Sequence, residues 1–321
     1  MRGMGWVKMS ESGDPERVLD KLLTCSALTP IPTPVRSGKR RSAAKAVVNG
    51  SAAAVVASLV AVSPAAAQTL TGSGQADFDA FMAQATQPGA DYTVNITAGP
   101  ASETIAIDSD LVLPGQAQGI DLNFLPGGDD FANRSQVTVG NSALFTIADG
   151  ADVTFTGNGR FNVGFVGGGG SGLMSGGSLT LGRANGVYSA FNIGYGTTGT
   201  GSQSGSGTFT QNAGSVLLEG SAFQIGVQDA SGRYTMNGGS LHLTSRSTIY
   251  VGESDHGDGV LQISGNSQFT TEDVSSGTGT QIFIGQNGGV GTILQDGAGS
   301  LVDIDSGTNA FWFGSTDGGA D

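Results

Sequence analysis

The chain of 321 residues has one cysteine, Cys25, so no disulfide framework within it holds the fold. Proline is missing after Pro126. A proline removes one ladder donor wherever it enters a sheet, and its absence leaves the following segment open to uninterrupted strands. Lysine is missing after Lys45; residues 68–321 carry five arginines (Arg134, Arg160, Arg183, Arg233, Arg246) against 23 acidic residues, a formal charge of −18. A surface of that sign repels nucleic acid and anionic membrane, and it argues against both as partners. The clearest apolar run, Ala52 to Val62, is about 11 residues and too short to span a bilayer. No phosphate loop and no nucleophile elbow with partner residues stands out.

Glycine is abundant, with 55 residues, and it marks a repeat. One motif reads apolar–x–apolar–Gly: Phe161-Asn162-Val163-Gly164, Phe191-Asn192-Ile193-Gly194, Phe223-Gln224-Ile225-Gly226, Ile249-Tyr250-Val251-Gly252, Ile282-Phe283-Ile284-Gly285 and Phe311-Trp312-Phe313-Gly314. The closing glycines are 30, 32, 26, 33 and 29 residues apart. A second motif is best seen in Gly207-Thr208-Phe209-Thr210-Gln211 and Gly232-Arg233-Tyr234-Thr235-Met236. A third follows it: Ser178-Leu179-Thr180-Leu181, Ser215-Val216-Leu217-Leu218, Ser240-Leu241-His242-Leu243 and Ser300-Leu301-Val302-Asp303. All three alternate with period 2, as half-buried strands do, and Gly, Asn, Ser and Asp clusters separate them.

Three short strands per repeat of about 30 residues predict an all-β fold, a right-handed parallel β-helix of three-stranded coils. In the first motif the residues three and one before the glycine face inward and stack from coil to coil. A buried Phe or Ile contributes about 1.5–3 kcal/mol, and a coil gains that only when neighbours cover both its faces. At Gly265-Asn266-Ser267-Gln268-Phe269 the third motif is displaced by one residue, which reads as a local bulge. Residues 92–160 give the first, less regular coils. Phe78, Phe81, Met82 and Ala85 recur at helical spacing over residues 75–85, predicting a short amphipathic helix that covers the first coil.

The first 67 residues differ in character. Residues 1–50 hold nine basic and four acidic residues; Lys39-Arg40-Arg41 and Lys45 precede the apolar run, and Ala65-Ala66-Ala67 ends it. That order is the pattern of a secretory signal, with Sec export favoured over twin-arginine export because Ala43 and Ala44, rather than bulky residues, stand after the arginine pair. The expected organisation is an extended signal region over 1–67, an N-terminal cap over 68–90 and a β-helix over 91–321.

The signal segment, the Phe-x-Ile-Gly motif and the coil from Gly207 to Val216 resemble the passenger regions of Gram-negative autotransporters. The resemblance covers about residues 68–321. It implies a protein at the cell surface, at the outer membrane or in the medium, with a structural or adhesive role. It also implies a C-terminal outer-membrane barrel, expected to lie outside these 321 residues, so the β-helix is expected to be truncated at its C-terminus.

Three site readings follow from the residues. The middle residue of the first motif changes from Asn162, Asn192 and Gln224 to Tyr250, Phe283 and Trp312. If that row faces outward, its last three members form an aromatic stripe suited to a glycan or a surface protein. Glu253, Asp255 and Asp258 share one loop and offer oxygen ligands to a divalent cation, with a solvated acidic turn as the alternative. The pairs Asp303/Asp305 and Asp255/Asp258 are the candidates for acid–base chemistry in a polysaccharide lyase or hydrolase, the enzyme alternative to a binding protein. No catalytic residue and no cofactor is assigned.

Overall fold

The computed structural model describes residues 67–85, 90–98, 103–115, 117–126, 135–183, 187–197, 203–244, 246–254, 256–272, 279–304 and 310–314. The signal-like segment, Cys25, Asp255 and Asp305 lie outside the described residues.

The chain forms a parallel β-solenoid of about 7 turns built from three sheets. The three motifs each generate one sheet. Sheet 1 carries the apolar–x–apolar–Gly strands in eight rungs, from Glu103–Ile107 to Ala310–Phe313; sheet 2 carries the second motif in seven rungs, from Leu111–Leu113 to Val290–Gln295; sheet 3 carries the third in nine rungs, from Gln68–Gly72 to Leu301–Asp303. Gln68–Gly72 pairs in parallel with the next strand, Asp91–Thr97, and every later pairing joins strands three apart in sequence, also in parallel. The register follows the motif: Phe161 lies beside Phe191, Phe191 beside Phe223, Phe223 beside Ile249, and Ile249 beside Ile282.

Inward side chains form columns. Phe124, Phe155, Phe161, Phe191 and Phe223 stack at centroid distances of 4.6, 5.5, 5.2 and 5.1 Å. Phe209 and Tyr234 form a second stack at 5.5 Å, edge-on to Phe191 and Phe223. Among the described residues the core admits one long amide, Gln211, which is fully buried. Its Nε2 donates to the carbonyls of Gly214 and Ser240, at 3.1 and 3.0 Å, and its Oε1 accepts from the Tyr234 hydroxyl. With its hydroxyl satisfied inside the core, the Tyr234 phenol has its pKa pushed far up by burial.

Two devices recur at the corners of the central coils. Between sheets 1 and 2 the closing glycine adopts a left-handed conformation; at Gly194 φ is +66° and a Cβ would lie 2.0 Å from the Ser231 carbonyl oxygen of the neighbouring coil. Only glycine fits that approach. Between sheets 3 and 1 a buried hydroxyl recurs: Ser189, Ser221 and Ser247 donate to the carbonyls of Gly182, Leu181 and Leu218 at 2.8, 2.8 and 2.9 Å. Each stands two residues before the first inward residue of its sheet 1 strand.

The helix Gly74–Gln84 forms as expected. It buries Phe78 and sets Phe81 and Met82 against the core. Its Gln75 side chain meets the outermost strand of sheet 1 through both amide atoms, accepting from Ala106 N–H at 2.7 Å and donating to Ala106 C=O at 3.1 Å. The side chain thus satisfies backbone groups at an edge that is otherwise open for pairing.

Two register expectations are corrected. There is no bulge at Gln268-Phe269, because Gln268 to Thr271 pair one to one with Ser240 to Leu243. The extra residue sits in the preceding turn, where Gly265 has φ +63° and the Ser267 hydroxyl donates to Ser264 C=O at 2.6 Å. In the last third-motif strand it is Leu301, not Ser300, that aligns with Gln268. Leu301 therefore points outward and is 47% exposed, while Val302 and Ile304 pack against the core.

Candidate functional site

The outward face of sheet 1 carries three rows of side chains in register. One holds Arg160, Ala190, Ala222, Thr248 and Gln281; the next holds Asn162, Asn192, Gln224, Tyr250, Phe283 and Trp312; the third holds Phe165, Tyr195, Val227, Glu253 and Gln286. The middle row splits into two chemistries. Asn192 Nδ2 donates to Asn162 Oδ1 at 2.7 Å, and Asn162 Nδ2 donates to Thr138 Oγ1 at 3.3 Å. Both asparagines are fully buried although they stand on the outward side of the sheet. An amide ladder of this kind uses the parallel repeat to hydrogen-bond like to like.

Beyond Gln224 the row becomes aromatic. Tyr250 and Phe283 stack at 5.1 Å with 10° between planes, and Phe283 and Trp312 at 6.1 Å with 14°. Tyr250 and Phe283 are half-buried, and Trp312 is 48% exposed. The three rings are near-parallel from one rung to the next.

A groove of about 300 Å³ lies on the same face, spanning the rungs from Arg160 to Thr248. Ala190 and Ala222 line it between those two residues, with Tyr188, Tyr195, Gln224, Tyr250, Arg246 and Glu253 around them and Gly220 and Ser221 beside Ala222. Burial raises the Glu253 carboxyl above the usual carboxylate range, and a hydrogen bond with the Gln224 side chain partly offsets this. The Tyr250 phenol is also raised, first by burial and then by the nearby Glu253 and Tyr188. A second groove of about 340 Å³ adjoins the first, sharing Tyr188, Gly220, Arg246 and Thr248 and adding Arg183. The face of sheet 2 has a groove of about 390 Å³ that is lined largely by glycine and serine, including Gly170, Ser206, Gly207 and Ser231.

The residues of the acidic loop separate. Glu253 lines the sheet 1 groove, whereas Asp258 opens the strand Asp258–Ile263 and lines the groove over sheet 2; Asp255 lies outside the described residues. Among the described residues no group of three or more His, Cys, Asp or Glu is placed to hold a metal ion. His256 is 91% exposed with Nδ1 3.4 Å from Asp229, and His242 lies on the outward face of sheet 3 with Nδ1 2.8 Å from Thr270 Oγ1. Asp303 is exposed in the strand Leu301–Asp303, and its expected partner Asp305 is outside the described residues.

Reading the sequence found the aromatic row but not the groove beside it. Arg246, Tyr188 and Gly220 come from connections whose lengths vary from coil to coil, so no fixed offset in the repeat points to them. Glu253 was singled out for its loop neighbours; its place in register with Tyr195 and Val227 gives it a different setting. No family model, curated protein or solved structure matches this chain.

Proposed function

We propose that this chain is the β-helical passenger of an exported surface protein, a stalk that binds a glycan or a surface protein along its outward aromatic row. The observation that carries the reading is the near-parallel stack of Tyr250, Phe283 and Trp312 in the middle row of one sheet face. Stacked at the rung spacing, the rings turn their faces to one another and present a continuous ridge of ring edges, an apolar strip against which a glycan or a surface protein packs. The basic, apolar and Ala-x-Ala order of residues 39–67 supports export. The absence of cysteine after Cys25 suits a body that crosses membranes before it folds.

An enzyme acting on polysaccharide is the second reading, favoured by the raised carboxyl of Glu253 in the groove. Glycoside hydrolysis takes two carboxyl groups on either side of the bond, and Glu253 is the one carboxylate among the described residues that line this groove. That balance supports binding.

The test is the double variant Tyr250→Ala with Trp312→Ala, assayed against immobilised polysaccharides and matrix glycoproteins. Loss of the two rings lowers affinity for the bound partner at least tenfold, by analogy with aromatic contacts of about 1 kcal/mol each beyond their buried area. Unchanged binding discards the aromatic row as the binding surface.

A further inference from the structure

In residues 68–321 arginine is rare and acid is common, yet the arginines are not spread evenly. From Val153 to Leu218 the chain has no Asp or Glu, and this stretch supplies Arg160 and Arg183. Those two and Arg246, three of the five arginines after residue 67, line the two adjoining grooves over sheet 1. Tyr188, Tyr195 and Tyr250 share the first groove with them. The face therefore concentrates the few cations of an acidic body beside aromatic rings.

We infer that these grooves bind an acidic polysaccharide, a chain of uronic acid sugars, with Arg246 and Arg160 meeting ring carboxylates and Tyr188, Tyr195 and Tyr250 meeting sugar faces. This rests on the glycan reading above and names the class of glycan. The guanidinium fork matches a carboxylate through two parallel hydrogen bonds. Glu253 and Gln224 then serve as acceptors for sugar hydroxyls, a role that an anion without hydroxyls would leave unfilled. Ala190 and Ala222 keep the centre of the groove open between Arg160 and Thr248. Those rungs extend over three parallel spacings, about 14 Å, and the aromatic row continues the track past Tyr250.

The body's net charge makes this chemistry selective. At a formal −18 over residues 68–321, diffuse attraction of polyanions is opposed, so a bound polyuronate must be held by local contacts.

The test measures binding of the full chain to polygalacturonate, to the same polymer with its carboxyls reduced to alcohols, and to poly-glutamate. The expected result is binding to polygalacturonate, at least tenfold weaker binding to the reduced polymer, and none to poly-glutamate. Arg246→Gln lowers polygalacturonate affinity at least tenfold and leaves affinity for the reduced polymer unchanged, whereas Tyr250→Ala weakens both. Arg160→Gln is the second variant, and thermal unfolding of each confirms that the coils remain intact. Equal binding to the two sugar polymers, with both arginine variants silent, overturns the acidic-glycan inference and leaves the glycan reading standing. Binding of poly-glutamate as tight as that of polygalacturonate overturns the inference as well, because charge alone then accounts for it. Failure to bind either sugar polymer overturns it together with the aromatic-row reading for these glycans.

Discussion

Alanine at Gly194 destabilises the solenoid by about 4 kcal/mol, a large share of the roughly 5–15 kcal/mol that holds an ordinary domain folded. Two effects add. The residue sits at φ +66°, where a side chain costs about 1–2 kcal/mol. The new Cβ would also lie 2.0 Å from the Ser231 carbonyl oxygen, and that carbonyl belongs to a strand locked on both sides by parallel neighbours. It has little freedom to move away. Gly288→Ala separates the two effects: φ is +84° there, but nothing lies within 4 Å of the added Cβ. Its loss is about 1 kcal/mol. Denaturant unfolding followed by circular dichroism measures both. Equal losses at the two sites would show that close approach of neighbouring coils does not hold the corner.

Phe191→Ala is the second large effect, with an expected loss of about 3–5 kcal/mol. Phe191 stacks between Phe161 and Phe223 at 5.2 and 5.1 Å and meets Phe209 and Tyr234 edge-on at 5.2 and 6.2 Å. Both of its sheet neighbours in the column are therefore deprived of a ring, and a rigid ladder on either side limits collapse into the gap. In a solenoid each coil is stabilised by its neighbours, so weakening a central coil also divides the unfolding transition. Phe165→Ala is the control. Phe165 is half-buried on the outward face with one stacked partner, Tyr195 at 5.5 Å, and its loss is about 1 kcal/mol. A central variant that unfolds in one step with a loss no greater than the control contradicts the column as the source of stability.

The repeat was legible because the fold makes the same demand at the same offset in every coil. Phe191 and Ile193 had to be apolar to reach the core, and Gly194 had to lack a side chain to turn the corner. The hydroxyl of Ser189, Ser221 and Ser247 obeys an equally fixed offset but passed unnoticed, since serine is frequent throughout the chain and carries little contrast. Displacements at Phe269 and Leu301 were misplaced because turn length, not strand pairing, absorbs the inserted residues. The burial of Asn162 and Asn192 was missed for a different reason. Alternation says which side of a strand a residue takes, not whether that side is wet. The groove was the least legible feature. Its floor is periodic, but Arg246 and Tyr188 enter from connections of uneven length, and only the folded coils bring them beside Glu253 and Tyr250.

The stacking itself is tested most directly by distances along one row of sheet 3. Asn123, Thr154, Thr180, Leu217, His242 and Thr270 occupy successive rungs of a single register. In a Cys25→Ser background, pairs of spin labels join Asn123 to Leu217, to His242 and to Thr270. With about 4.8 Å per rung the three backbone separations are about 14, 19 and 24 Å, rising in equal steps although the sequence gaps do not. Label distances that fail to increase by one rung spacing from pair to pair contradict a parallel solenoid.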